Sequence, residues 1–479
     1  MASAVEQFIR GTVTRGVMAL AAFNRRRMST SRPAPFLSKI HAPMKAELTI
    51  VDPEVVGTIP PGLDGRYLRI GPNPIEPDPR GHHWFVGDGM VHGLWLQGGR
   101  ASWYRNRWVR SEAVARALNE APAPGPRHGR FDTVNTALLA HAGEIRALVE
   151  AGSTPVRLDG ELGTQAYDDF GGTLEGAFAA HPHLDPLTGE LHAIAYLGTE
   201  PNHVTHVVVD AAGKVRRELR IPMKHGPMIH DCAITRRYVL ILDLPVGFSL
   251  RTLVAGYTFP YRWNPKQPAR VGLLPRDGGV DDIVWIPVEP GFVFHTVNAY
   301  DTADGLVVLD LVAYDRMFAP GSSGPDATPR ALERWLLDPA NRRCTRQVLH
   351  DQPQEFPRID ERRTGQPYRY AYTLGIGRKQ SAEFVEAGHL WKHDFETGRH
   401  WRHDFGPGRV AGEFTFVPKH AGAAEDEGWL LGLVIDTDTD TTELAILDAQ
   451  DFEAPPLARV RIPHRVPPGF HGAWIPEVG

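Results

Sequence analysis

The chain has 479 residues, and 42% of them are hydrophobic, which is enough to bury a large core. Length alone would suggest about two or three domains, but a closed β architecture can hold this many residues as one. A net charge of −5 gives no electrostatic reason to expect a nucleic-acid partner. The two cysteines, Cys232 and Cys344, exclude a disulfide framework and fit a reducing compartment, so we expect a cytoplasmic protein.

Residues 1–34 differ in composition from the rest of the chain. Their only acidic residue is Glu6, and five of their six arginines are interspersed among apolar residues at roughly helical spacing. The apolar series is Val5, Phe8, Ile9, Val13, Val17, Leu20 and Phe23. This pattern is typical of an interfacial amphipathic helix, and a disordered tail or a transit peptide would also fit it. The longest uncharged apolar stretch, residues 16–23, is far shorter than the roughly 20 residues that cross a bilayer.

Residues 35–479 contain many short strand signals separated by turns. A tight turn is predicted at residues 211–214, between two runs rich in β-branched residues. The clearest runs are residues 191–196, 205–210, 239–243 and 305–310. Repeated short antiparallel strands at these intervals favour a propeller, so we expect a single all-β domain over residues 35–479.

Two further stretches allow more than one interpretation. Residues 436–443 resemble a calcium-binding loop, but Thr441 replaces the required glycine and Leu447 the final acid, which favours a hairpin tip. Residues 110–130 include a proline-rich run and are predicted to form a mobile loop. We expect that loop on the face where a substrate would enter, although a solvated insertion fits the same composition.

Four of the 22 histidines stand in distinctive sequence frames and are candidate metal ligands. They are His181, His230, His295 and His471. A single histidine is more often a core or surface residue than a ligand. The separations of 49, 65 and 176 residues indicate that all four lie on one repeating architecture, because the last is about three units of roughly 59 residues. One histidine per repeat would converge on a central axis, and four imidazoles without a carboxylate suit an ion that activates a small molecule.

From about residue 36 to residue 479, the chain resembles the carotenoid cleavage oxygenases. The resemblance includes residues 65–74 and 83–93, the four histidine frames, Glu355-Phe356-Pro357 and Gly412-Glu413-Phe414. Residues 103–109 look like the bacterial carotenoid-cleaving members in particular. The family resemblance implies a seven-bladed β-propeller with a metal on its axis and a loop and helix cap on one face.

The same resemblance implies the chemistry of the site. It implies one Fe(II) per chain, held by the four histidines, with O2 as co-substrate and two carbonyl products; the histidines alone would also accept Zn, Ni, Cu or Mn. Three glutamates match positions that accept a hydrogen bond from ligand imidazoles, Glu150, Glu355 and Glu413. Thr136 matches a threonine whose methyl group crowds one open coordination position, although an ordinary strand-end threonine is an equal alternative.

The expected substrate is a lipophilic small molecule, a carotenoid or apocarotenoid. Trp84 and Phe85 are candidates for the substrate wall or, with some preference, for the core. Relatives that cleave hydroxystilbenes use a lysine before the first glutamate, together with an upstream tyrosine, to hold the phenol. Val149 replaces that lysine here, whereas Tyr104 matches the tyrosine and Arg105 could supply another cation. The valine favours an apolar polyene.

Other functions remain open at this point. A stilbene- or phenylpropene-cleaving dioxygenase shares the chemistry, and a non-catalytic apocarotenoid carrier would be expected to lack one of the histidines. A retinoid isomerohydrolase keeps the histidines, but no feature of the sequence calls for its ester substrate. We expect a monomer, and peripheral contact with a membrane would bring the enzyme to a bilayer-dissolved substrate.

Overall fold

Seven antiparallel sheets of four or five strands form the blades of a β-propeller, accompanied by one two-stranded hairpin. This arrangement comes from a computed structural model that describes residues 4–30, 34–127, 132–152, 154–198, 200–319, 325, 327, 329–377 and 388–477, with side chains from residue 13 onward except that of residue 329. The prediction of an all-β, seven-bladed fold is confirmed.

The strands up to residue 287 belong to five blades and one hairpin. The first group is β1 (Leu48–Val51), β2 (Val55–Gly57), β3 (Gly65–Pro72), β4 (Gly89–Gln97) and β5 (Arg100–Trp108). Blade 2 is β6 (Ala137–His141), β7 (Glu144–Leu148), β8 (Val156–Leu158) and β9 (Thr164–Tyr167). Blade 3 is β10 (His183–Leu184), β11 (Leu191–Tyr196), β12 (His203–Val209) and β13 (Val215–Pro222). Next come β14 (Cys232–Ile234), β15 (Tyr238–Asp243), the hairpin β16 (Val246–Phe248) and β17 (Tyr261–Trp263), β18 (Arg270–Pro275) and β19 (Val284–Pro287).

The second half completes the ring. Blade 4 combines β14, β15, β18 and β19. Blade 5 is β20 (Thr296–Asp301), β21 (Val307–Tyr314), β22 (Pro329–Asp338) and β23 (Arg343–His350). Blade 6 is β24 (Gln354–Arg358), β25 (Tyr370–Gly375), β26 (His389–Asp394) and β27 (Arg399–Asp404). The last strands are β28 (Arg409–Pro418), β29 (Gly428–Asp436), β30 (Thr441–Asp448), β31 (Ala458–Ile462) and β32 (Gly472–Pro476).

Both ends of the chain take part in closing the ring. Blade 1 has the order β1-β5-β4-β3-β32, so the last strand of the chain lies beside β3. Blade 7 has the order β2-β31-β30-β29-β28, so an early strand forms its outer edge. Each of these sheets therefore joins distant parts of the sequence, which leaves no open side between the first and last blades.

Helices are few, and they lie outside the blades. They are α1 (Ala4–Arg26), α2 (Glu112–Ala117) and α3 (Leu250–Val254), with 3-10 turns at Pro35–Leu37, Lys39–His41, Trp84–Val86, Val280–Asp282 and Glu361–Arg363. The segment predicted as a loop from residue 110 contains α2, whose N-cap is the Ser111 hydroxyl, so that part of the prediction is wrong; residues 128–131 lie outside the described residues. Val114 of α2 packs against Met90 and Trp108, and this apolar contact orders the segment.

The N-terminal helix α1 docks through its last turn on α3. The Asn24 side chain donates to the Val254 carbonyl at 2.7 Å, and Arg25 Nε donates to the Gly256 carbonyl at 2.8 Å. Val13, Met18, Leu20 and Phe23 are exposed on α1, as is Leu250 on α3. The apolar positions predicted at residues 5, 8 and 9 lie where side chains are not described. Within the described part of the chain, no helix is long and apolar enough to span a bilayer.

The predicted strands and turns agree closely with the structure. The run at residues 191–196 coincides with β11, and β12, β15 and β21 overlap the other three runs. At the turn between β12 and β13, Asp210 accepts from the backbone N–H groups of Ala212 and Lys214, and Gly213 adopts a φ of +78°. The acidic stretch joins β29 to β30 as a hairpin tip, where Asp436 accepts from the Asp438 N–H at 3.0 Å.

Because β32 completes blade 1, side chains that hold it in place should contribute to the free energy of unfolding. Ile475 on β32 is 9% exposed and packs between blades 1 and 2. We expect Ile475→Ala to lower the free energy of unfolding by about 2 kcal/mol or more, because it leaves a cavity at the joint. Val348→Ala is the control: its side chain is 56% exposed on β23, so the change should stay within about 0.5 kcal/mol. Equal effects in urea denaturation would contradict this account of closure.

Candidate metal centre

The four candidate histidines occupy equivalent places in four blades. Each histidine precedes the innermost strand of its blade by one or two residues. In order, His181, His230, His295 and His471 precede β10, β14, β20 and β32. These strands belong to blades 3, 4, 5 and 1. Blades 6 and 7 lie between the last two, which explains why the separation of 176 residues corresponds to three repeats.

The structure brings the four imidazole rings together. The ring centroid of His181 lies 4.5 Å from that of His230 and 4.8 Å from that of His471. His295 lies 5.1 Å from His230 and 4.9 Å from His471. Nitrogen atoms of His181, His230 and His295 all lie within 4.8 Å of one another. The convergence that the spacing predicted is therefore present.

Three glutamates from the remaining blades back three of the rings. Glu150 follows β7 in blade 2, whereas Glu355 lies in β24 of blade 6 and Glu413 in β28 of blade 7. Each accepts from a histidine Nδ1: Glu150 from His230 at 2.8 Å, Glu355 from His295 at 2.6 Å, and Glu413 from His471 at 2.9 Å. These bonds assign the proton to Nδ1 and leave Nε2 with a free lone pair.

Each carboxylate has further partners that hold it in place. The Tyr196 hydroxyl donates to Glu150, and the Tyr314 hydroxyl donates to Glu355 at 3.0 Å. Glu413 accepts from the Gly472 backbone N–H at 2.7 Å. Burial opposes ionisation of Glu413, but Arg358 and the hydrogen bonds from His471 and Gly472 prevail and lower its pKa. Glu413 is therefore ionised at neutral pH.

The rings themselves fit a metal ion. His181 Nε2 and His295 Nε2 are buried, and neither has a hydrogen-bond partner within the described part of the chain. Burial, reinforced by the neighbouring histidines, lowers the pKa of His181 well below its usual value, so that ring is neutral. Leaving such buried acceptors unpaired costs free energy. A neutral imidazole such as His181, with ligand atoms of His230 and His295 within 4.8 Å, is what a divalent transition metal requires.

An apolar cavity reaches His230, His295 and His471. Its wall contains Val149 and Thr136, as well as the aromatic residues Trp84, Phe85, Phe259, Phe294, Phe356 and Phe470. Thr136 donates its hydroxyl hydrogen to the Asn135 side chain at 2.9 Å. Trp84 also stacks on Phe36 in the main hydrophobic core. It therefore belongs both to the cavity wall and to the core.

The structure does not bring Tyr104 to this cavity, contrary to the sequence-based expectation. Its hydroxyl lies 2.9 Å from His92 Nδ1 and 3.2 Å from His464 Nε2, in the apolar layer between blades 1 and 7. The position of β5 explains the difference, because β4 and β3 separate it from the inner strand β32 and both of its faces pack against neighbouring blades. Arg105, the other candidate for phenol binding, pairs with Glu161 and lies over the Trp103 ring, away from the cavity.

Tyr196 was not identified from the sequence, although a signal for it exists. It ends β11, a strand in which every residue is buried. A tyrosine hydroxyl on such a strand needs a buried hydrogen-bond partner. A buried glutamate carboxylate needs a donor, so the two residues can satisfy each other. Tyr314 occupies the corresponding position at the end of the fully buried strand β21.

Comparison with known proteins agrees with this centre. The family model described as retinal pigment epithelial membrane protein matches residues 41–476. A carotenoid cleavage oxygenase of Mycobacterium tuberculosis is 41% identical over 94% of this chain and 100% of its own length. Two solved structures are similar: a Pseudomonas brassicacearum lignostilbene dioxygenase (TM-score 0.83, 28% identity, 92% of this chain and 98% of that one) and a cobalt-substituted Synechocystis apocarotenoid oxygenase (TM-score 0.80, 29% identity, 93% and 99%). The chain therefore belongs to the carotenoid cleavage oxygenase family of enzymes.

Proposed function

We propose that this chain is a non-haem Fe(II) dioxygenase that cleaves one conjugated C=C bond of a carotenoid or apocarotenoid with O2, giving two carbonyl products. The observation that carries the proposal is the group of four imidazoles, three of them backed by carboxylates, at the end of an apolar cavity. The relatives named as carotenoid and apocarotenoid oxygenases support the substrate class.

His181, His230, His295 and His471 would hold the iron through Nε2. When bound, iron supplies the activation of O2, and four protein ligands leave coordination positions open for it. Glu150, Glu355 and Glu413 fix the ring orientations and increase ligand basicity through the Nδ1 hydrogen bonds. Thr136 lines the cavity beside the histidines, where its side chain would limit the space next to the metal.

The rest of the cavity would position the substrate. Phe85 and Phe294 lie 5.9 Å apart, ring centroid to ring centroid, and Phe294 lies 5.1 Å from His230. The two phenylalanine rings are in edge-to-face contact with each other and form one wall of the cavity. A rigid polyene that lies along this wall presents one double bond to the centre, because few other orientations fit. The aromatic walls also exclude water, which protects an oxidised product from side reactions.

The ligand assignment predicts the effect of removing His471. We expect His471→Ala to abolish turnover and sharply lower iron content while circular dichroism still shows a folded propeller, because Glu413 loses its bond from His471 but keeps the Gly472 N–H and the nearby Arg358. His420→Ala is the matched control, because the His420 side chain is 61% exposed and lies outside the cluster. An His471→Ala protein with full iron and activity would remove the basis of the proposal.

The hydrogen bond from His295 predicts a graded effect at Glu355. Glu355→Gln keeps the shape but replaces a charged acceptor, so we expect iron affinity or turnover to fall by about 10–100 fold. Glu289→Gln should change neither, because the Glu289 side chain is 79% exposed and pairs with Arg346 on the outer strand of blade 5. Unchanged iron affinity and rate in Glu355→Gln would make Glu355 a structural residue only.

A stilbene-cleaving function is the second candidate, since the lignostilbene dioxygenase is similar in structure over nearly the whole chain. Val149 lines the cavity directly before Glu150, where an isopropyl group offers a phenolate no partner. Neither Tyr104 nor Arg105 is among the described residues that line that cavity. An apolar substrate therefore fits this wall better than a phenol does.

This reasoning predicts higher kcat/KM for apocarotenals or carotenoids than for resveratrol-like stilbenes. Val149→Lys should shift the ratio toward the stilbenes, because an ammonium group can pair with the phenolic oxygen. Val149→Met is the control for side-chain length, and it should not favour the stilbene. A wild-type enzyme that prefers the hydroxystilbene in side-by-side kinetics would show that the substrate assignment is wrong.

We also propose that the exposed apolar residues of α1 and α3 contact a membrane surface. Tyr257, just after α3, is 37% exposed, and the next residues, Thr258 and Phe259, line the apolar cavity. The exposed patch therefore lies next to the cavity wall in sequence and in space. A substrate dissolved in a bilayer would reach the cavity directly from such a contact.

Deleting residues 1–34 should therefore reduce liposome binding and activity on membrane-dissolved substrate but spare activity on detergent-dispersed substrate. The double substitution Leu20→Glu and Phe23→Glu should do the same without shortening the chain. Val348→Glu is the control, because Val348 is 56% exposed on the outer strand of blade 5. Equal liposome partitioning by all these proteins would leave α1 without a membrane role.

A further inference from the structure

A second cavity reaches the histidine cluster along the propeller axis. It is lined by His181, His295 and His471, whereas the apolar cavity reaches His230 but not His181. About 350 Å³ of this second cavity is open to the centre of a water molecule, and one water needs roughly 10–15 Å³ of such space, so the axial cavity has room for many waters. The cluster therefore has two approaches.

The axial approach has the chemistry of a cation path. Four carboxylates line it, Asp231, Asp360, Glu361 and Glu413, against two arginines, which gives an excess of two negative charges. Both arginines are already paired, Arg358 with Glu361 at 2.9 Å and Arg362 with Asp360 at 2.7 Å. A cavity with an excess of negative charge raises the local concentration of cations.

The apolar approach is unsuited to a hydrated ion. Its wall is mainly aromatic, and its two carboxylates, Glu150 and Glu355, are already engaged by His230 and His295 and by tyrosine hydroxyls. A divalent cation that crossed it would lose water without gaining ligands, which is costly. The same space is also where the substrate would lie.

A pair of ligand-type side chains lines the axial cavity beside the cluster. His183 Nε2 lies 2.8 Å from Asp231 Oδ1, and with Cys232 these residues offer ligand atoms within 4.8 Å of one another. His183 is two residues from His181, and its side chain is 23% exposed. If His183 moves, Asp231 keeps hydrogen bonds from the Cys232 N–H and from Thr296, so releasing the imidazole leaves no bare carboxylate.

We propose that the metal ion enters through the axial cavity, and that His183, with Asp231, binds it transiently before it passes to His181. This inference rests on the proposed function, in which the four histidines hold the metal. It adds a role for side chains that the catalytic centre does not use. It also separates the path of the metal from the path of the substrate.

The route is tested by blocking each cavity reversibly and measuring the rate of Co(II) uptake by the metal-free, full-length chain from its visible absorption. Leu184 lines the axial cavity and is 37% exposed, and Val86 lines the apolar cavity and is partly exposed. Leu184→Cys and Val86→Cys, each in a Cys344→Ser background, are labelled with a bulky methanethiosulfonate. The label at position 184 should slow uptake by about tenfold or more, the low end of what focusing clefts contribute to association rates.

Removal of the label by a phosphine reductant should restore the rate, which excludes misfolding. The label at position 86 should leave the rate unchanged. The opposite pattern, with slowing at position 86 and none at position 184, would overturn the proposed route.

The transient ligand is tested by His183→Gln, which keeps a donor for Asp231. Uptake should slow while the final occupancy stays at one ion per chain. His203→Gln is the matched control, because His203 also pairs with a carboxylate, Glu200, at 3.2 Å and its side chain is 20% exposed. Equal uptake rates in the two variants would overturn the role of His183. Loss of equilibrium binding in His183→Gln alone would overturn its transient role, whereas failure of the wild type to bind one ion at equilibrium would contradict the proposed function.

Discussion

The hydrogen bonds between histidine Nδ1 atoms and glutamate carboxylates are the interactions on which the centre depends. Each of the three joins different blades: blade 4 to blade 2, blade 5 to blade 6, and the last strand in blade 1 to blade 7. A buried carboxylate without a partner would be costly, and a buried ring without a fixed tautomer would be a poor ligand. Each histidine–glutamate pair gives the carboxylate a partner and fixes the tautomer of the ring. Because each pair joins two blades, the geometry of the centre depends on the arrangement of the closed ring of blades.

The ring of blades explains why seven repeats carry four histidines. Blades 1, 3, 4 and 5 contribute the imidazoles, and blades 2, 6 and 7 contribute the carboxylates, so every blade supplies one group to the axis. The two cavities then reach different faces of the cluster, one with an aromatic wall and one with a charged wall. The same four rings can therefore meet an apolar substrate on one side and water and ions on the other.

The sequence predicted the parts of this arrangement that recur. The spacing of His181, His230, His295 and His471 follows the blade repeat, and the strand over residues 191–196 follows from its β-branched and apolar content. Glu150, Glu355 and Glu413 were identified by family resemblance, and the structure brings each one to a different ring.

The errors arise where contacts are not periodic. The family pattern predicts Tyr104 at the substrate, but β5 is separated from the inner strand β32 by two other strands, so Tyr104 packs between blades 1 and 7. The segment after residue 110 was predicted as a loop because of its prolines, yet Val114 finds an apolar pocket formed by distant residues. Tyr196 and Tyr314 were missed because their partners come from other blades. These pairs join residues that are far apart in the sequence, so no local sequence pattern indicates them.

The most direct test of the account is the origin of the product oxygens. The iron-loaded enzyme is given an apocarotenal under ¹⁸O2, and the two products are identified by mass spectrometry at short reaction times, with a parallel control for exchange of the aldehyde oxygens with water. The account predicts one ¹⁸O atom in the newly formed carbonyl group of each product, with no turnover in the metal-free protein. Oxygen from water in either new carbonyl group, after correction for exchange, or undiminished cleavage without metal would contradict it.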